Sequence, residues 1–95
     1  MTVGILTLTL HLPNCQSLKE KRRLIKPIIS RLRKEFNISV VEYEHQDKWQ
    51  SSVLLIACAA SPGSHIENTL SNVVAFYEKY WPDLPLIGEK IEIIT

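Results

Sequence analysis

The sequence predicts an α+β fold of element order β-α-β-β-α-β, and three observations carry that prediction. Residues 2–12 alternate with a period of two. Two later stretches place apolar residues at helical spacing, each opened by a Ser-x-x-Glu signature. Three further short apolar runs are bounded by turn residues. Ninety-five residues, 45% hydrophobic and 22% charged, suffice for one small domain spanning 1–95 and exclude wholesale disorder.

Each element has its own warrant. In the first strand Leu6, Leu8, Leu10 and Leu12 share one face, and Val3, Ile5, Thr7, Thr9 and His11 the other; Pro13 and Asn14 stop it. Ser17 and Glu20 form a capping box, opening a helix with Leu18, Ile25, Ile28, Ile29, Leu32 and Phe36 on one stripe. Pro27 within it is expected to kink the helix, and Asn37 to end it in a left-handed cap. Residues 38–44 and 51–60 read as the second and third strands, joined by a hairpin over 45–50. Ser61-Pro62-Gly63 ends the third strand, and Ser64 with Glu67 caps a helix bearing Ile66, Leu70, Val73, Val74, Tyr77 and Trp81. Residues 82–85 break it, and residues 89–94 alternate as a final strand. Two right-handed crossovers sharing one antiparallel sheet, with both helices on the same face, define a ferredoxin-like sandwich.

The net charge of +1 conceals a strong asymmetry. Residues 17–35 hold eight Lys or Arg against two Glu, a local +6, and the remainder holds three basic against eight acidic residues, or −5. On a helical projection Lys19, Arg22, Arg23, Lys26, Arg33 and Lys34 fall within an arc of roughly 120° beside the apolar stripe. Lys19/Arg23 and Arg22/Lys26 are like-charge i,i+4 pairs, each destabilising by about 0.2–0.5 kcal/mol. Lys19, Lys21, Arg22 and Arg23 also crowd the N-terminal turns, where the helix dipole disfavours cations. A solvated charged face is the ordinary explanation of such a run. A polyanion across it would relieve both costs, and RNA is the expected one, although an acidic protein meets the same charge requirement.

The hairpin is the second candidate region. The topology brings its His45, Gln46, Asp47 and Trp49 to the sheet end that also carries His11 and the start of the first helix. Imidazole, amide and carboxylate groups can bond nucleic-acid edges, and an indole offers a stacking face. Gln46 and Asp47 serve equally as turn residues, and Trp49 as a cap on the core. The open face of the first strand has no aromatic residue, which argues against base stacking on the sheet; that semi-apolar face suits self-association, a homodimer.

Enzymatic function is not expected. His11, Cys15, His45 and Asp47 could be drawn as a nucleophilic or metal set, and a small hydrolase or thiol enzyme using Cys15 and His45 is the alternative. Yet no HExxH, GxSxG, P-loop or CxxC motif is present. Two cysteines make neither a disulfide framework nor a four-thiolate zinc site, so no cofactor or metal is expected. The longest apolar run, residues 53–60, falls far short of the roughly 18–20 residues needed to span a bilayer. No charged segment precedes an apolar one at the N-terminus, so no leader is expected and the location is read as cytoplasmic.

Gly4 in a strand ending His11-Leu12-Pro13, the run Ser17-Leu18-Lys19-Glu20-Lys21-Arg22-Arg23, Phe36-Asn37-Ile38-Ser39-Val40, and His45-Gln46-Asp47 with Trp49-Gln50 together resemble the YlxP-like proteins, small bacterial domains. The resemblance covers nearly the whole chain. It implies a ferredoxin-like fold, a cytoplasmic location and a role as a ribosome-associated or ribosome-maturation factor, because such genes sit beside translation-factor genes. It implies no catalytic residue. Pro27 and Cys15 depart from the family pattern. The expected function is thus a non-enzymatic RNA-binding factor of small-subunit maturation or translation. Its expected contacts are Lys19, Lys21, Arg22, Arg23, Lys26, Arg33, His45, Gln46, Asp47 and Trp49, and the alternative is a homodimeric module gripping an acidic partner. Six neutralised phosphates would give a log affinity against log salt slope of roughly −4 to −5.

Overall fold

The chain folds as β1 (Thr2–His11), α1 (Leu18–Glu35), β2 (Ser39–Glu44), β3 (Ser51–Ala60), α2 (Ile66–Tyr80) and β4 (Leu86–Ile94). This computed structural model describes residues 1–44, 48–61 and 65–95. The expectations placed on His45, Gln46, Asp47, Pro62, Gly63 and Ser64 lie outside the described residues. The strands form one antiparallel sheet in the order β2-β3-β1-β4, the ferredoxin-like arrangement.

Alternation in β1 does what its period dictates. Leu6, Leu8 and Leu10 are fully buried beneath the helices with Leu54 and Ile56 of β3 and Val40 of β2. Ile25, Ile28 and Leu32 of α1 and Leu70, Val73 and Tyr77 of α2 close that core from above. Val3, Ile5, Thr7 and Thr9 occupy the opposite face and are half-buried.

Gly4 belongs to the helix-facing set of β1, and its missing side chain seats α2. A Cβ there would lie 2.9 Å from both Ile66 Cδ1 and Leu70 Cδ1. Gly4→Val is therefore expected to cost about 1–3 kcal/mol through overpacking. At roughly 4–8 °C per kcal/mol for a domain of this size, thermal denaturation should register the loss clearly. Gly88→Ala is the control: its added methyl meets Thr9 Oγ1 at 3.5 Å, an ordinary contact.

Two local expectations, the cap of α1 and the start of β4, are corrected. α1 ends in an extended cap at Phe36 (φ −131°, ψ 148°), not in a left-handed Asn37, because the chain passes almost directly into β2. The Phe36 ring also packs edge-on against Phe76, 5.5 Å between centroids. α1 runs through Pro27 as one helix, and the proline sits on the exposed side. The Arg23 carbonyl that loses its partner there can be met by water. α2 begins at Ile66, and the His65 side chain makes no cap hydrogen bond. β4 starts at Leu86 rather than residue 89, because a register shift between Thr9 and Leu10 breaks its alternation. The connection into β4 is pinned at two carbonyls: buried Tyr77 donates its hydroxyl to Leu84 O at 2.6 Å, and His11 N–H bonds Pro85 O. Burial pushes the Tyr77 phenol far above its ordinary pKa, so it remains a donor.

Candidate nucleic-acid interface

The N-terminus of α1 is built by the capping box in a modified form. Ser17 takes an extended conformation, and its hydroxyl accepts the Glu20 N–H at 3.1 Å. The Glu20 carboxylate reaches back one residue further than the usual box, accepting the Gln16 N–H at 3.2 Å. One donor of the first turn and the amide just before the cap are thus satisfied, and the helix starts where its cations begin.

The helix meets the sheet through a stripe in which Lys21, Ile25, Ile28 and Leu32 are buried. Lys21 is the exception among them. It is 2% exposed, and its ammonium lies 2.9 Å from Glu42 Oε2 on β2. The same oxygen accepts the Ser52 hydroxyl of β3 at 2.7 Å. Lys21, Glu42 and Ser52 therefore form a polar network in the layer between helix and sheet, and the phosphate contact expected of Lys21 is overturned by that burial. The network has a sequence signal that the charge count hid. Lys21 fills the gap in the apolar stripe between Leu18 and Ile25, while Glu42 and Ser52 hold core-facing positions in strands whose other core-facing residues are apolar.

The other expected cations stand outside. Lys19, Arg22, Arg23 and Lys26 are exposed, and none is engaged by a carboxylate among the described residues. Arg33 is also exposed; its guanidinium donates to the Val40 carbonyl oxygen on edge strand β2. Four more N–H groups remain on that guanidinium. Between Lys26, Ile29 and Arg33 on one side and Val41 and Glu42 on the other runs an open groove of about 470 Å³. Arg31 serves the fold instead: it pairs with Glu35 at 3.1 Å and lies over the rings of Phe76 and Tyr80 at 5.4 and 5.0 Å.

Residues 48–50 come to the sheet end at which α1 begins. Leu12 N–H bonds Gln50 O at 2.9 Å, and His11 pairs with Ser51. Trp49 is 51% exposed, so it does not cap the core and its ring is available to a ligand. His45, Gln46 and Asp47 lie outside the described residues. Cys15 is 1% exposed and its thiol donates to the Ser17 carbonyl at 3.4 Å, which leaves no accessible sulfur for nucleophilic attack. Among the described residues no group of three His, Cys, Asp or Glu side chains could hold a metal ion, and no helix is long and apolar enough to cross a membrane.

Residues 3–88 match the family described as a protein of unknown function, DUF503. The chain belongs to the DUF503 family. It is also similar to the uncharacterized protein YlxP of Bacillus subtilis (strain 168), 39% identical over 64 residues that make up 67% of this chain and 70% of that protein. The family match runs from Val3 to Gly88, so it takes in both α1 and the hairpin, the two regions that carry this DUF503 chain's exposed cations and exposed indole.

Proposed function

We propose that this chain is a non-enzymatic RNA-binding factor that associates with the ribosome in small-subunit maturation or translation. One observation carries the reading. Lys19, Arg22, Arg23 and Lys26 stand exposed on the first turns of α1 without a carboxylate partner among the described residues. The rest of the chain outside 17–35 holds eight acidic residues that could have paired with them. Phosphates would meet cations and helix N–H groups together there. Trp49, exposed at the sheet end where α1 begins, supplies a stacking surface. The resemblance to YlxP-like proteins directs the reading to ribosomal RNA.

Four phosphate contacts give an expected slope of log affinity on log salt of about −3 to −4, shallower than a set that includes Lys21. The test is co-sedimentation with ribosomal subunits from lysate at two salt concentrations, with and without nuclease. Salt-sensitive co-sedimentation that nuclease abolishes is expected. Capture of an acidic protein that survives nuclease, or a slope near zero on purified RNA, would overturn the reading.

A further inference from the structure

We propose that the helix-free face of the sheet is the interface of a homodimer, with a second copy of this chain as its occupant. The strand registers assemble that face in rows. Val41, Leu55 and Thr7 lie side by side, then Ala57 and Ile5, then Ala59, Val3 and Ile94. Val41 is 48% and Ile94 53% exposed, at opposite edges of the sheet. Lys90 and Glu92 neutralise each other at 2.8 Å on the β4 rim, and Glu44 stands opposite Val53 at the other edge, so the apolar rows lie between charged borders.

Three arguments select a second copy. The first is area. Four strands about 4.8 Å apart and roughly 20–30 Å long give each copy a face of about 400–600 Å². Two such faces bury about 800–1,200 Å², which reaches the threshold of about 1,000 Å² for a specific interface. The second is shape. Leu55 and Ile5 stand beside the small side chains of Thr7, Ala57 and Ala59, so the projections of one copy find hollows in a two-fold mate. Packed sheets adopt such an interdigitated arrangement about 10 Å apart.

The third is charge. The surface offers a polyanion no unpaired cation among the described residues. Face-to-face sheets also hold the two α1 helices on the outside, roughly 30 Å apart and so about three Debye lengths at 0.1 M salt, where their mutual repulsion is screened. A dimer of this kind displays two cationic helices on opposite surfaces.

Sedimentation equilibrium on the full chain, nuclease-treated and at high salt, tests this. The expected mass is twice 10.9 kDa at about 50 µM protomer. Leu55→Lys and Ile94→Lys, each placing a cation in the dry interface, are expected to weaken association at least about a hundredfold while leaving far-UV circular dichroism unchanged. Ile94, half exposed in the single chain, keeps the test valid should Leu55→Lys disturb folding. A monomer at several hundred µM, a dimer that neither substitution weakens, or a dimer that nuclease dissolves would overturn the proposal. RNA binding by α1 is read separately, so either idea can fail alone.

Discussion

Lys21→Met is expected to lower the unfolding free energy by about 3 kcal/mol, and Glu42→Leu added to it to restore most of that loss. A buried ion pair is costly to break by halves, because the surviving charge keeps its desolvation penalty and loses its partner. Here the survivor would be Glu42, 22% exposed and still bonded to the Ser52 hydroxyl, which holds the cost to the lower end of the usual 3–5 kcal/mol range. The double variant removes both charges and packs apolar atoms into the same layer beside Ile25 and Val40, so its stability should return to within about 1 kcal/mol of the parent, or exceed it. Urea denaturation monitored at constant m-value reads the difference as a shift of midpoint. Arg22→Met, one residue away on the exposed side, should move the midpoint by no more than about 0.5 kcal/mol equivalent. Equal losses for the Lys21 and Arg22 variants, or a double variant as unstable as Lys21→Met alone, would contradict the pair's structural role.

The contrast between Lys21 and Arg22 also marks how far residue pattern alone reaches. The fold was legible because its elements are amphipathic in the plain sense. β1 alternates cleanly, and α2 repeats apolar residues every three or four positions with few exceptions. Where that regularity fails, reading fails with it. A bulge opposite Thr9 and Leu10 shifts the phase of β4 and hides its start, and the cap of α1 falls at Phe36 because that ring answers to an aromatic cluster more than 35 residues away. Lys21 lies off the cationic arc of the helical projection, yet its place among the cations of the first turns groups it with the phosphate contacts. Glu42 on β2, its partner, and Ser52 on β3, which bonds the same carboxylate, meet it only in three dimensions. The exposed cations, by contrast, were readable from angle alone, since a residue opposite the apolar stripe has nowhere to go but solvent.

That geometry makes the second large effect specific. Arg22→Glu with Arg23→Glu reverses two of the four exposed cations of the first turns. It also places acids near the positive end of the helix dipole, which favours the fold slightly, by about 0.3–1 kcal/mol per charge. Stability and binding should consequently move in opposite directions, a pattern that misfolding cannot imitate. Each phosphate contact removed takes roughly one unit from the salt slope, so binding to purified ribosomal RNA should flatten from about −3 or −4 to about −1 or −2. Affinity near 0.1 M salt should fall about a hundredfold or more, because two attractions are lost and two repulsions introduced. Lys21→Met, compared at a temperature where it remains folded, should leave the slope where it was, since its buried ammonium never faced the ligand. If the charge-reversed protein bound RNA with unaltered slope, α1 would not be the docking surface. If Lys21→Met flattened the slope as much as the reversal does, the buried pair would have to open on binding, and the division between a structural and an interacting cation set would be wrong.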